Sequence, residues 1–336
     1  MTDPHPGIPT PRPLDEPPEP TGSSSSPDSP PLAGRRHLAI VGVTASGKSA
    51  LAMAVARGRS DVELISVDSM QVYRGMDIGT AKPTPAERAE VPHHLIDLAD
   101  PSEDFTVTRF QGAFRDALAG IEARGHRAVL VGGTGLYLRA VIDDLEIPGR
   151  HPEVREAIEA EADTEALHRR LVELDPVAAA RMEPTNRRRV VRALEVCLGS
   201  GRPFSSYGPG LDAYPPTRFA LLGLQRSVED TAARIATRFD EQLAAGFVDE
   251  VRALAAAPAG LSRNARQALG YRELLAHMEQ GLPLDDAVEQ AVSGIRRFAR
   301  RQRSWFRRDP RITWVDATQD PGRLLAVVLR DWYECG

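Results

Sequence analysis

The sequence predicts an α/β fold in which helices flank a parallel sheet and an all-helical insertion interrupts the chain. Short apolar runs alternate with amphipathic helical segments from residue 37 onward, and this alternation is typical of right-handed βαβ units. Residues 149–212 show helical periodicity without a convincing strand. A glycine-rich loop follows the first apolar run, at residues 42–49.

Five short apolar runs predict the strands, because each is bounded by loop residues. They cover residues 37–43, 62–67, 127–133, 218–224 and 312–317. Apolar residues at helical spacing predict helices from Ser49 to Arg57, over 108–125 with Gly125 as the C-cap, and over 136–143. Several long helices are expected after the fourth run.

The chain divides by composition into a tail, a core and an insertion. Eleven of the 27 prolines precede residue 32, so we expect residues 1–36 to form a disordered tail with too few apolar groups to fold. The α/β core is then expected at 37–148 and 213–336. The helical insertion is expected at 149–212.

Composition argues against several classes of protein. No segment approaches the roughly 18 apolar residues that a membrane span needs, and Cys197 and Cys335 lack disulfide or zinc spacing. The tail has no continuous apolar stretch typical of a secretory signal, so we expect a cytoplasmic protein, and nothing demands more than a monomer. The net charge of −5 argues against a uniformly basic nucleic-acid binder but permits local basic patches.

The glycine-rich loop GVTASGKS matches the spacing GxxxxGK[ST], which predicts a phosphate-binding loop in a P-loop NTPase-like core. Backbone N–H groups of such a loop converge on phosphate oxygens at a helix N-terminus. Lys48 would add a positive charge, and the Ser49 hydroxyl would be a ligand for Mg²⁺. A chance match is the alternative, and the molecule that carries the phosphates stays open. The predicted phosphate-binding residues are Gly42, Val43, Thr44, Ala45, Ser46, Gly47, Lys48 and Ser49.

Two further loops follow predicted strands at the edge of the sheet where ligands bind. Asp68 and Ser69 come directly after the second strand, where an acid can bind Mg²⁺, act as a general base or simply cap the next turn. The loop VGGTGLY, residues 131–137, offers the Thr134 hydroxyl beside three glycines. A tight turn that needs glycine is the alternative interpretation of this second loop.

Two basic clusters point to an anionic partner. Arg187, Arg188, Arg189 and Arg192 lie in the predicted insertion, and residues 295–308 contain seven arginines and no acid, with aromatic residues interleaved. Guanidinium groups suit phosphate oxygens and aromatic faces can stack on exposed bases. The alternative is a solvated helix with its aromatic residues in the core, and we expect at least Phe298 to point there. The pair His93-His94 has no third ligand at metal spacing, so we expect a structural role for it.

Together these motifs resemble the bacterial tRNA dimethylallyltransferase family, also called tRNA isopentenyltransferases. The resemblance covers residues 37–317 and rests on GVTASGKS, ISVDSMQVYRGMDIGTAKP, HHLIDLADP, VGGTGLYLRA, DPVAAARM, VVRALEVCLGSG, QALGYRE and RRQRSWFRR. It implies transfer of a dimethylallyl group from dimethylallyl diphosphate to the N6 amine of adenosine 37, next to the anticodon. The products would be N6-isopentenyladenosine and diphosphate.

The resemblance also implies roles for individual residues. Asp68 would be the general base, with Thr134 and Arg226 as further catalytic residues, and the phosphate loop would hold the diphosphate with Mg²⁺. The contacts that it implies with the tRNA anticodon stem-loop are Asp68, Ser69, Met70, Gln71, Thr134, Arg155, Arg188, Arg189, Val190, Val191, Arg192, Gln267, Ala268, Leu269, Gly270, Tyr271, Arg272, Arg300, Arg301, Gln302, Arg303, Ser304, Trp305, Phe306 and Arg307.

Two other functions fit parts of the sequence. A P-loop small-molecule or nucleoside kinase would use the same loop, with Asp68 as the base toward a hydroxyl group, but it leaves the arginine-rich stretch and the insertion unexplained. A non-catalytic RNA-binding GTPase-like module would need a guanine-reading NKxD motif, which the sequence lacks.

Overall fold

The computed structural model describes residues 36–319 and 321–334. The predicted disordered tail therefore lies outside the described residues, except for Arg36. The strands are β1 (His37–Gly42), β2 (Val62–Val67), β3 (His93–His94), β4 (Arg127–Gly132), β5 (Phe219–Gln225) and β6 (Ile312–Asp316). The helices are α1 (Lys48–Arg57), α2 (Pro85–Glu90), α3 (Val107–Ala123), α4 (Gly135–Ile142), α5 (Pro152–Glu159), α6 (Thr164–Leu174), α7 (Pro176–Ala180), α8 (Arg187–Ser200), α9 (Val228–Ala244), α10 (Phe247–Ala256), α11 (Arg263–Arg266), α12 (Tyr271–Gln280), α13 (Leu284–Phe306) and α14 (Pro321–Val328), with a 3₁₀ turn at Phe204–Ser206 and a π-helix at Leu329–Glu334.

The six strands form one parallel sheet in the order β3-β2-β4-β1-β5-β6. The predicted α/β fold class is therefore confirmed. The five predicted strands are all present, each within a residue of its predicted bounds. The sequence missed β3, because two residues carry no periodicity.

Both faces of the sheet are buried, which explains why its strands are continuously apolar rather than alternating. Side chains of a strand point to opposite faces in turn. On β1, Ala39 and Val41 belong to one hydrophobic cluster, whereas Leu38 and Ile40 belong to a second one across the sheet. The carboxyl end of β1 is thereby held in the centre of the molecule, where it carries the glycine-rich loop.

Helices α5 to α8 share a hydrophobic cluster of their own, which includes Leu171 and Leu194. The chain returns from this helical region through residues 211–215, which Arg139 of α4 and Arg311 hold in place. Arg139 of α4 donates to the carbonyl oxygens of Leu211 and Ala213 at 2.9 and 2.5 Å, and it pairs with the buried Asp143.

No helix among residues 36–319 and 321–334 has the length and apolar character to cross a bilayer.

Candidate active site

The phosphate loop of residues 42–49 joins β1 to the N-terminus of α1. Gly42 is required there, because its φ is +145° and a Cβ atom would lie 2.7 Å from the Leu224 carbonyl oxygen. The N-cap residue of α1 is Gly47, which has no side chain to cap the first N–H groups of the helix. The Ser46 hydroxyl is buried and finds no hydrogen-bond partner in the described part of the chain. The loop thus presents unpaired donors, which is the arrangement that binds phosphate oxygens.

Two cations and one carboxylate face one another beside this loop. The Lys48 ammonium group is buried and donates to the Val43 carbonyl oxygen at 2.6 Å. Burial and, to a smaller extent, the Arg238 charge lower the pKa of Lys48 to about 7, although the Asp68 charge opposes both effects. Burial likewise lowers the pKa of Arg238, which Asp68 raises. A low-dielectric site with this excess of positive charge favours an anionic ligand.

Asp68 lies just past the end of β2 and uses one of its two carboxylate oxygens locally. Its Oδ1 accepts from the backbone N–H groups of Met70 and Gln71 at 2.8 and 3.3 Å. The other oxygen, Oδ2, has no hydrogen-bond donor among the described residues. The capping role and the proposed role as a base are therefore compatible, because they use different oxygens.

The loop after β4 packs directly on the loop after β2. The Thr134 hydroxyl oxygen accepts from the Ser69 N–H at 3.3 Å. The Gln71 side chain is half-buried. Its amide oxygen accepts from the Ser66 hydroxyl at 2.7 Å, and its amide nitrogen donates to the carbonyl oxygens of Thr80 and Ala81. Thr134 and Asp68 thus share one edge of the sheet, and the Gln71 side chain holds the shape of its own loop.

Two arginines near the phosphate loop, Arg226 and Arg238, differ in whether the protein already pairs their guanidinium groups. Arg226 donates to the Ser46 carbonyl oxygen at 3.1 Å and pairs with Asp230 at 2.8 Å. Its guanidinium group therefore has partners already. Arg238 of α9, which the sequence analysis missed, is half-buried, and no hydrogen bond or ion pair holds its guanidinium group within residues 36–319 and 321–334. Of the two, Arg238 is the group left for a ligand.

The loop of residues 76–83 is anchored from α10. The Glu250 carboxylate accepts from three successive backbone N–H groups, of Asp77, Ile78 and Gly79, at 2.7–3.2 Å. It also accepts from the Tyr271 hydroxyl at 2.6 Å. Tyr271, a predicted tRNA contact, is only 1% exposed. We therefore interpret its side chain as a support for this loop and not as a surface that meets tRNA.

The predicted tRNA contacts of residues 267–272 otherwise alternate between buried and exposed positions. Ala268 and Gly270 are buried, Leu269 is half-buried, and Gln267 and Arg272 are exposed. Of the exposed pair, Arg272 already pairs with the buried Glu273.

In the helical region the predicted contacts also divide by burial. Val190 and Val191 are at most 1% exposed and lie in the cluster of α5 to α8, so their side chains do not face a partner. Arg188 and Arg189 are exposed. The guanidinium groups of Arg155 and Arg192 both pair with the buried Glu195, at 3.4 and 2.8 Å, and both side chains stay partly exposed. The Arg187 guanidinium donates to three backbone carbonyl oxygens and to the Thr164 hydroxyl oxygen, so this side chain stabilises the helical region.

The arginine-rich stretch forms the last turns of α13. Phe306 is the aromatic residue that enters the core, at 2% exposed. The expectation for Phe298 is wrong, because that ring is half-buried, lies outside the core clusters and is approached by the Arg301 guanidinium at 5.7 Å from its centroid. Arg300, Arg301, Ser304 and Arg307 are exposed, whereas Gln302 is buried and Arg303 and Trp305 are half-buried.

The described residues contain no group of three or more His, Cys, Asp or Glu side chains that could hold a metal ion. A Mg²⁺ ion bound together with phosphates needs no such group, because it takes only one or two oxygens from the protein and keeps several waters. Ser49, exposed at the N-terminus of α1, has a hydroxyl suited to that role.

Known proteins resemble this chain over nearly its whole length. The IPP transferase family model matches residues 71–309, and the isopentenyl transferase model matches residues 36–97. A tRNA dimethylallyltransferase of Streptomyces coelicolor is 44% identical over 315 residues, which cover 91% of this chain and 98% of that protein.

Solved structures of similar proteins share the fold. The tRNA isopentenylpyrophosphate transferase of Bacillus halodurans has a TM-score of 0.65 and 35% identity, over 90% of this chain and 98% of that one. A eukaryotic dimethylallyltransferase acting on tRNA has a TM-score of 0.73 and 26% identity, over 88% of this chain and 79% of that one. By its family models, its relatives and its fold, this chain belongs to the tRNA dimethylallyltransferase family.

Proposed function

We propose that this protein transfers a dimethylallyl group from dimethylallyl diphosphate to the N6 amine of adenosine 37, on the 3′ side of the tRNA anticodon. The observation that carries the proposal is the Asp68 carboxylate, with one oxygen unpaired within the described residues, electrostatically coupled to the two cations Lys48 and Arg238 beside the phosphate loop. A base and a diphosphate site so close together suit an alkyl transfer in which diphosphate leaves.

In the reaction, the N6 lone pair attacks the allylic carbon and the carbon–oxygen bond to diphosphate breaks. The bonding electrons leave with the diphosphate, whose growing charge Lys48, Arg238 and the loop N–H groups stabilise. Asp68 accepts the N6 proton. An allylic carbon with carbocation character lowers the demand on the base, so a carboxylate suffices.

We propose Mg²⁺ as the cofactor, with Ser49 as its protein ligand. When bound, the ion neutralises charge on the diphosphate and makes it a better leaving group. The protein's own contribution is to orient the diphosphate on the loop and to keep Asp68 on the side of the incoming amine.

We propose that tRNA binds across the helical insertion, residues 149–212, and the exposed side of α13. Arg188 and Arg189 are exposed on the insertion, and Arg300, Arg301 and Arg307 are exposed on α13. Guanidinium groups at two distant places suit the backbone of an anticodon arm. An anticodon-loop base can leave its stack at low cost and reach the N6 acceptor position. The proposal places a monomeric enzyme in the cytoplasm.

The test is a labelling reaction with purified protein, Mg²⁺, labelled dimethylallyl diphosphate and unmodified tRNA. We expect label to appear in the tRNA without ATP, and nuclease digestion should place it at adenosine 37. Transfer of phosphate from ATP to a small acceptor, with no label in tRNA, would instead support the kinase, which the family assignment does not favour.

Replacing Arg238 with Ala should cost more activity than replacing Arg226 with Ala. Removal of a cation that stabilises developing charge typically lowers kcat by about 10²–10³. Arg226 already bonds the Ser46 carbonyl oxygen and Asp230, so we expect its loss to loosen the loop and lower kcat by roughly tenfold or less. Steady-state kcat and KM for dimethylallyl diphosphate measure both effects. A larger effect at Arg226 would restore the role that the sequence resemblance implies for it.

Replacing both Arg300 and Arg301 with Ala should weaken tRNA binding and flatten its salt dependence. Each phosphate contact contributes roughly 0.7–0.9 to the slope of log K against log salt, so the slope should fall by about 1–2. Arg109 and Arg115 of α3, which are exposed and paired with Glu103 and Asp144, supply the matched control double variant. An unchanged slope in the α13 variant would mean that these arginines do not meet phosphates.

A further inference from the structure

Gln302 of α13 bridges two of the loops that build the active site. Its side-chain oxygen accepts from the Thr44 N–H at 2.9 Å, and its amide nitrogen donates to the Gly133 carbonyl oxygen at 2.9 Å. The residue is only 6% exposed, so water competes little for either bond. One buried amide thus ties the phosphate loop to the loop that carries Thr134.

The same helical turn also contacts the loop after β4 a second time and the loop after β5. Trp305 packs against Gly135, where a Cβ atom would lie 2.2 Å from the indole nitrogen of Trp305. Arg303 donates to the carbonyl oxygen of Arg226 at 3.0 Å. The loops after β1, β4 and β5 are therefore all fastened to residues 302–305.

The opposite side of this turn faces solvent. Arg300, Arg301, Ser304 and Arg307 are exposed, and the proposed function assigns this side to tRNA. Residues 300–307 therefore carry tRNA contacts on one side and contacts with the catalytic loops on the other. The hydrogen bonds of Gln302 and Arg303 therefore connect the exposed side of this turn directly to the catalytic loops.

Resting on the proposed function, we propose that Gln302 is a positioning residue that couples tRNA binding on α13 to diphosphate binding at the phosphate loop. Because Gln302 accepts from the Thr44 N–H, it fixes the backbone of the phosphate loop at Thr44. Its second bond holds the Thr134 loop in register with the first. Coupling of this kind is reciprocal, so each ligand raises the affinity for the other by the same factor.

The experiment measures the affinity for magnesium diphosphate by calorimetry, with the protein alone and with the protein saturated by an anticodon stem-loop RNA. For the natural protein we expect the RNA to raise this affinity roughly tenfold, within the range typical of coupled sites. Gln302→Met has nearly the same shape without either bond and should reduce the ratio to below about twofold. Gln290→Met, the same change at an exposed position of α13, should leave the ratio unchanged.

Gln302→Glu is the second variant, and it guards against loss of folding in the first. It keeps the acceptor for the Thr44 N–H and loses the donor to Gly133, so the ratio should lie between those of the natural protein and Gln302→Met. Its added charge weakens diphosphate binding with and without RNA, and this uniform effect cancels in the ratio. The Gln290→Met control shows whether any methionine on α13 would do the same.

Different outcomes overturn different statements. A natural protein that binds neither diphosphate nor RNA would contradict the proposed function itself. A natural protein that binds both without coupling, or a Gln302→Met protein with the full ratio, would overturn the role of Gln302 and leave the proposed function standing.

Discussion

Replacing Asp68 with Asn should lower kcat for prenyl transfer by about 10²–10⁴, the usual contribution of a positioned general base. Asparagine keeps an oxygen for the N–H groups of Met70 and Gln71, which now bond Asp68 Oδ1. The turn after β2 should therefore survive, and tRNA affinity should change by roughly threefold or less. Single-turnover rates with saturating tRNA, together with tRNA titrations, separate the two effects.

Two further variants sharpen this result. Asp68→Ala also removes the acceptor for these two N–H groups and should cause a further loss of about 0.5–1.5 kcal/mol of stability. Asp100→Asn is the matched control, because Asp100 Oδ1 accepts from the Ser102 N–H at 2.9 Å in a similar turn. If Asp68→Asn turned over at a normal rate per bound complex, Asp68 would not be the base.

The fold was largely predictable because the sheet is buried on both faces. A strand such as Leu38–Val41 must then be apolar at every position, and such a run is visible without a structure. The glycine-rich loop was predictable for a similar reason, since its backbone geometry requires Gly42 and its spacing is fixed by the ligand. β3 was missed because a strand of two residues, which pair with Leu64 and Ile65, is too short to show any periodicity.

Arg238 was not predictable because its environment is created by tertiary packing. An arginine in the middle of α9 is usually a solvated surface residue. The signal that could have found it is the spacing of Arg234 and Arg238, which places both on one face of the helix. Arg234 donates to the Ala45 carbonyl oxygen at 2.9 Å, so that face is the one turned toward the phosphate loop.

The predicted tRNA contacts divide because a motif includes residues that support a surface as well as residues that form it. In the stretch 300–307, Gln302 and Phe306 lie four apart and are both buried, as one face of a helix should be. Helical spacing alone could have separated these two from Arg300 and Arg301. It could not have shown that the Gln302 amide bonds the phosphate loop.

The protein contains two buried lysines whose replacement should have opposite effects on stability. Lys82 donates to the carbonyl oxygen of Tyr73 and to the carboxylates of Asp77 and Asp97. Lys82→Met leaves these acceptors without their donor and should destabilise the fold by about 2 kcal/mol. Within the described residues, the Lys48 side chain hydrogen-bonds the Val43 carbonyl oxygen alone. The Asp68 charge offsets part of the cost of burying its charge, and a bound anion would offset the rest.

Lys48→Met should therefore abolish diphosphate binding and leave the ligand-free protein as stable as before, or more so. The gain depends on pH, because folding lowers the pKa of Lys48 from 10.5 to about 7. Between those values the unfolded chain binds more protons, so the stability of the natural protein rises with pH. The advantage of Lys48→Met should be largest at pH 7 and below, and it should vanish toward pH 10.

Thermal unfolding with and without magnesium diphosphate measures both halves of this prediction. The ligand should raise the Tm of the natural protein and of Lys82→Met, because it binds only the folded state, and it should not move the Tm of Lys48→Met. A Lys48→Met protein that is less stable than the natural one throughout the pH range would show that Lys48 supports the fold. If Lys48 weakens the ligand-free protein and is needed for the ligand, its burial serves binding, because the Val43 carbonyl oxygen and the Asp68 charge offset only part of its cost.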